Sequence, residues 1–188
     1  SLGEGDKIET GANGGLRMVL ESGRIVEIKQ DTEISIKQFK VEKDGSREDI
    51  LLAKKGELRA RIEKLKAGSK FQVMTPTAIA AVRGTVLYLR ISPEFTRAFF
   101  QAGQGSLTSL ITNVEKIIDP SQNSTADNTG NVTDSIPTTP EEQQNLENGW
   151  NEQDQTYGYS TPEGGSAGDP GLPPTPPDGS DSNVPLNP

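Results

Sequence analysis

The sequence contains no cysteine and no histidine. The first absence excludes disulfides and thiolate chemistry; the second removes the usual metal ligand and the usual general base near neutral pH. No stretch approaches the ~20 consecutive apolar residues of a transmembrane helix. Aromatic residues make up only 5% of the 188 positions and hydrophobic residues 31%. Such a fraction is low for one globular unit, so part of the chain is expected to bury nothing. Positive charge is missing from one end. All 19 lysines and arginines lie at or before Lys116, and residues 119–188 contain none. The same end holds 12 of the 27 acidic residues and 11 of the 13 prolines. Two polymers with different physics meet near Ile118. Residues 1–118 are expected to fold, and residues 119–188 to form a largely disordered acidic tail rich in Pro and Gly. The chain starts at Ser1 with neither a methionine nor a basic leader, which reads as a processed or trimmed soluble piece.

What is present upstream is alternation. Leu16, Met18 and Leu20 alternate with polar residues, as do Val26/Ile28, Ile34/Ile36, Leu58/Ala60/Ile62 and Phe71/Val73. A period of two marks half-buried strands with one face in a core. Turn formers such as Asn13-Gly14-Gly15, Glu21-Ser22-Gly23, Asp44-Gly45, Gly56 and Gly68 punctuate these runs. Residues 46–66 also admit a helical reading, against which Gly56 and the Leu58/Ala60/Ile62 alternation argue. Further strands are expected around Ala98–Phe100, Leu107–Ile111 and Val114–Ile118. The sum is an all-β domain of many short strands, and periodicity leaves sandwich, barrel and β-solenoid open. Inside the tail, Thr139-Pro140-Glu141-Glu142 offers an N-cap, a proline at the first helical position and a capping-box glutamate. Leu146 and Trp150 follow four apart, so a short helix is expected over 139–150, with Trp150 as its anchor to the domain or to a partner.

Catalytic chemistry finds little support. Ser69-Lys70 are neighbours in a turn and do not face each other, and Asp31-Thr32-Glu33 has Glu where an aspartic-protease loop needs Gly. Gly11–Gly15 precedes a strand rather than a helix, which argues a turn and not a phosphate cradle. Asp119, Asp127 and Asp134 lack calcium-loop spacing. No enzyme activity, metal or cofactor is expected. The densest positive run is Lys54, Lys55, Arg59, Arg61, Lys64, Lys66 and Lys70. It reads first as a solvated strand face or a dock for the acidic tail, and second as a site for an anionic partner. No aromatic platform accompanies it, so nucleic acid is not expected. Alternation places Arg83 on the apolar face of the segment Thr75–Ile91. A buried guanidinium needs a partner, and Asp6 is the first candidate, which would make Arg83 a structural pin.

Three segments together resemble the FecR-like domain of bacterial envelope proteins. "GDKIETGANGGLRMVLESGRIVEIKQDTEISI" (Gly5 to Ile36) is similar to the first half of that family, "GELRARI" to its middle strand, and "FQVMTPTAIAAVRGTVLYLRI" to its most recognisable stretch. The resemblance covers roughly residues 3–111. It implies a β-helix-like or folded-ribbon domain, and it marks Gly5, Asp6, Thr10, Gly11, Thr75, Pro76, Arg83, Gly84 and Thr85 as motif positions. The family's usual strand before Gly5-Asp6 is not in the chain, which suggests truncation at that end. The resemblance further implies a place outside the cytoplasmic membrane, periplasmic or extracellular. The expected function is non-enzymatic binding of an envelope protein or a surface polymer, with an exposed last strand open to β-augmentation. The alternative is the extracytoplasmic part of a sigma-factor regulatory protein whose membrane and cytoplasmic segments are absent here.

Overall fold

A computed structural model describes residues 2–20, 24–82 and 84–158. Among these described residues thirteen strands precede one helix: β1 Lys7–Glu9, β2 Leu16–Leu20, β3 Arg24–Ile28, β4 Glu33–Val41, β5 Arg47–Ile62, β6 Lys70–Met74 and β7 Ala78–Val82. There follow β8 Thr85–Ile91, β9 Phe95–Ala102, β10 Gly105–Ser109, β11 Glu115–Ile118, β12 Gln122–Asp127, β13 Ile136–Pro137 and helix α1 Pro140–Thr156. The alternating runs all lie in strands. The helical reading of 46–66 gives way to β5, whose 16 residues are the longest strand in the fold.

Hydrogen bonding arranges the strands in two layers that share β5. Sheet A runs β1-β4-β5-β6-β7-β10-β11, and sheet B runs β2-β3-β5-β8-β9-β12-β13. Among the described residues only β5–β6 is a parallel pair. The all-β expectation therefore takes the folded-ribbon form, one sheet curled upon itself. The first half of β5 pairs with β4 and β6, and the second, from Gly56 onward, pairs with β3 and β8. Inward side chains of both layers, including Ile34, Leu51, Phe71 and Leu107 from A and Ile28, Leu58, Leu87 and Phe100 from B, form one buried cluster.

The corner in β5 explains why three separated stretches of sequence matter together. Gly56 takes φ +107, and a Cβ there would stand 2.2 Å from Thr32 Oγ1 and 2.6 Å from Thr32 Cα. Only glycine permits both the angle and the approach. Thr32 Oγ1 accepts from the Glu57 N–H at 3.1 Å, while the Thr32 N–H donates to Thr10 Oγ1 at 3.0 Å. Thr10 in turn donates its hydroxyl to the Lys29 carbonyl at 2.6 Å. The bend is thus clamped by hydroxyls from the β1–β2 and β3–β4 connections.

Order does not stop near Ile118, as composition suggested. β12 adds to sheet B beside β9, and Ala126 and Val132 enter the core. Its polar residues are buried with partners: Ser124 Oγ donates to the Thr133 carbonyl at 2.8 Å, and Asn123 Nδ2 to Thr138 Oγ1 at 2.8 Å. A strand built from Ser, Thr and Asn carries no apolar period, which is why it reads as tail. Helix α1 begins at the capping box, with the Thr139 hydroxyl accepting from the Glu142 N–H, and continues past 150 to Thr156. The rest of the expected disordered segment, 159–188, lies outside the described residues, as does the turn 21–23 between β2 and β3.

Gly56→Ala is expected to destabilise the domain by about 2 kcal/mol or more through backbone strain and displacement of Thr32. Urea denaturation of the two proteins checks this; equal midpoints would refute the corner's role.

Candidate functional site

The motif positions build turns and crossings. Gly5, at φ +89, donates its N–H to the Ile36 carbonyl at 2.8 Å. Asp6 is exposed, and its carboxylate accepts the Gly3 N–H at 2.7 Å. Thr10 belongs to the β5 corner, and the Gly11 carbonyl accepts the N–H groups of Gly14 and Asp31 at 3.0 and 3.3 Å. At the other end, Thr75 and Pro76 open the β6–β7 turn. The Thr75 hydroxyl lies 2.6 Å from that of Thr96, and Thr77 donates to Thr96 Oγ1 at 2.8 Å. This buried hydroxyl chain ties sheet A to β9 of sheet B. Gly84 takes φ +87 where a Cβ would lie 2.8 Å from Lys64 Cα, and Thr85 is buried at the start of β8. Arg83, the expected partner of Asp6, lies outside the described residues.

The basic run is divided by the bend in β5 and the exit of the chain after Ile62. Lys54 and Lys55 are exposed on sheet A, Lys54 pairing with Glu33 at 2.5 Å. Lys64, Lys66 and Lys70 rim a groove of about 760 Å³ on the outer side of sheet A, with Gln72, Gln104 and Ile117 among its other walls. Arg59 and Arg61 project from the outer face of sheet B, beneath α1. The seven cations therefore do not share one face.

Beneath α1 the charges form a network. Glu27 on β3 is fully buried and receives Arg59 Nε at 2.5 Å and Arg17 Nη2 at 2.6 Å. Asp154 on α1 receives Arg59 Nη2 at 2.8 Å and Arg17 Nη2 at 3.2 Å, with Arg61 Nη2 at 3.5 Å. Burial pushes the Glu27 carboxyl up, but the hydrogen bonds and charges of Arg59, Arg17 and Arg61 outweigh it and hold the group below the ordinary Glu value. Burial pulls the Arg61 guanidinium down, and the neighbouring Arg59 charge adds to this. Trp150 is buried beside Tyr88 and Phe99, with Lys29 Nζ 4.7 Å and the Arg59 guanidinium 5.0 Å from its ring. Gln153 Nε2 donates to the Ile28 carbonyl at 2.9 Å, and the Tyr157 hydroxyl to the Asn13 carbonyl at 2.8 Å. The buried role of Asp154 had no signal of its own in the sequence. It lies four residues beyond Trp150, one helical turn along the same stripe.

Among the described residues sheet A has no such cover. Its last strand, β11, pairs with β10 and leaves its other side without a described strand. On this hairpin Leu110, Ile111, Val114 and Ile117 are 40% to 57% exposed, and Ile136 of β13 is exposed as well. Four branched apolar side chains within eight residues make a patch, whereas scattered single exposures are ordinary. Among the described residues no helix is long and apolar enough to cross a membrane.

The family model described as FecR protein matches residues 6–104. This chain belongs to the FecR family. The FecR match takes in β1 to β9, the shared strand β5 and both hydroxyl-clamped corners, while β10 to β13 and α1 follow it. Two crystal structures, each of a candidate anti-sigma factor from Parabacteroides distasonis, share the fold of this FecR chain at a TM-score of 0.58 each. The first, at 2.50 Å, is 15% identical over 71% of this chain and 60% of its own length. The second, at 1.65 Å, is 14% identical over 81% and 75%. The FecR chain thus spans about 60% of the first of these relatives. A search of curated proteins finds no match.

The pH response of the network has a definite sign. Glu27 has its folded pKa below the ordinary Glu value of 4.5, so the docking it supports is complete above 4.5 and lost as pH falls through the lower folded value. Since Trp150 is the only tryptophan, its emission reports the docking of α1. Titration from about pH 6 to about pH 3 should shift that emission to the red, and Glu27→Gln should weaken docking at neutral pH. Emission unchanged in both experiments would show that the network does not hold the helix.

Proposed function

We propose that this FecR-family chain is a non-enzymatic interaction domain of the bacterial envelope, acting outside the cytoplasmic membrane and binding a protein partner along the β10–β11 hairpin. The observation that carries this reading is the exposed Leu110/Ile111/Val114/Ile117 patch beside the side of β11 that has no described strand partner. An extended segment added to that side would gain main-chain hydrogen bonds and cover aliphatic surface worth about 25 cal/mol per Å². Lys64, Lys66 and Lys70 at the neighbouring groove favour acidic residues on the incoming segment. All exposed large apolar side chains among the described residues are aliphatic, which suits the apolar surface of another protein.

A second reading makes the domain the extracytoplasmic, sensory part of a sigma-factor regulator. Family membership and the description of the Parabacteroides distasonis relative as a candidate anti-sigma factor favour it. Both readings use a protein partner, and they differ in what lies on the far side of the membrane.

The test is retention of a discrete envelope protein by the wild-type chain and by Val114→Lys/Ile117→Lys. The variant is expected to lose retention by about tenfold or more while its melting temperature stays close to that of the wild type. Equal retention by both proteins would reject the hairpin as the binding surface. Cell fractionation that placed the protein in the cytoplasm would reject the envelope reading.

A further inference from the structure

The outer face of sheet B and helix α1 are complementary in charge as well as in shape. Arg17, Lys29, Arg59, Arg61 and Arg97 project from the sheet toward the helix, and each bears on α1 or its tryptophan. Between Pro140 and Thr156 the helix has no basic residue and carries Glu141, Glu142, Glu147, Glu152 and Asp154. Its inward stripe is spaced by single turns: Leu146 and Trp150 against Tyr88 and Phe99, then Asp154 against the arginines.

This seat is narrow. Trp150 and Asp154 are the buried residues of the helix, Leu146 is half-buried, and most of the remaining length is polar. A crevice of about 340 Å³ opens along one flank, lined by Arg90, Arg97, Phe99, Asn123 and Leu146. Another of about 540 Å³ lies along the other, lined by Arg61, Val86, Gln101 and Asn151. The receiving face is therefore wider than the element that occupies it. A polar helix of this length is marginal alone, so its folding and its docking are coupled and both depend on a few contacts. Displacing α1 would take the Asp154 carboxylate away from Arg17, Arg59 and Arg61, leaving a cationic face that suits another acidic ligand.

We propose that the outer face of sheet B is a receptor for an acidic amphipathic helix carrying Leu, Trp and Asp at successive turns, which α1 occupies in cis and which a helix of that chemistry from a partner protein takes when α1 is displaced. Tyr88 and Phe99 receive the aromatic anchor, and Arg17, Arg59 and Arg61 read the carboxylate one turn further on. Recognition by charge gives the surface specificity for acidic helices, and the cis occupant raises the threshold for binding them. This surface is separate from the β10–β11 hairpin and does not depend on it.

The probe is a labelled synthetic peptide with the sequence of residues 139–158, titrated by fluorescence anisotropy into the full chain. The Trp150→Ala/Asp154→Ala variant, whose own helix has lost both anchors, is expected to bind the peptide at least about tenfold more tightly than the wild type. Binding should weaken as salt is raised and vanish for a peptide with alanine in place of its tryptophan. If circular dichroism shows that the double variant has lost its β-structure, Leu146→Ala alone serves, with a smaller gain in the same direction. Equal affinity of wild type and variant, or no binding to a folded variant, would overturn the proposal. Concentration-dependent dimerisation of the wild type, abolished by Asp154→Ala, would assign the face to a second copy of α1 and overturn the partner reading.

Discussion

The fold depends on one bend in one strand. β5 is long enough to serve two layers, and it can do so only because Gly56 adopts a left-handed angle while pressed against Thr32. Every strand of sheet A reaches sheet B through this residue or through the loops at the ends. The hydroxyls of Thr10 and Thr32 satisfy backbone groups at the corner that a bent ladder would otherwise leave unpaired. Because the core forms between the two halves of β5, loosening that corner would separate the apolar faces that stabilise everything else.

The same bend gives the domain two unlike outer surfaces. On sheet B several outward residues are charged or aromatic and lie under α1, where Glu27 and Asp154 divide three arginines between them. Removing one partner from such a buried set leaves uncompensated charge, a cost of several kcal/mol, which makes the helix and sheet mutually dependent. On sheet A no described element covers the outward face, which carries a lysine-rimmed groove leading to an apolar edge. Among the described residues, one outer face is covered by the chain's own helix and the other is not.

How far the site could be read in advance varies by residue. Gly5, Thr10, Gly11, Thr75, Pro76, Gly84 and Thr85 are marked by family resemblance and lie at turns, crossings or strand ends, where Gly5 and Gly84 take positive φ. Asp6, the expected buried acceptor, is exposed and caps a local turn. The run from Lys54 to Lys70 looks continuous in one dimension, but the Gly56 bend and the end of β5 send its members to three places. Asp154 stood in a polar segment with nothing local to distinguish it. Its meaning comes from Arg59, 95 residues away in sequence.

The sequence by itself determined what is local. Alternation set which side chains of each strand face the core, turn residues set where strands end, and the Thr139 capping box set where α1 begins. Tertiary structure decided which strands became neighbours, that β5 belongs to both sheets, and that a Ser/Thr/Asn segment joins as β12. It also decided which outer face is covered. The reason is that a period of two specifies a face but not a partner: ladder hydrogen bonds form between backbones that are alike in every strand. Buried charges likewise choose partners by distance in space, which composition cannot show.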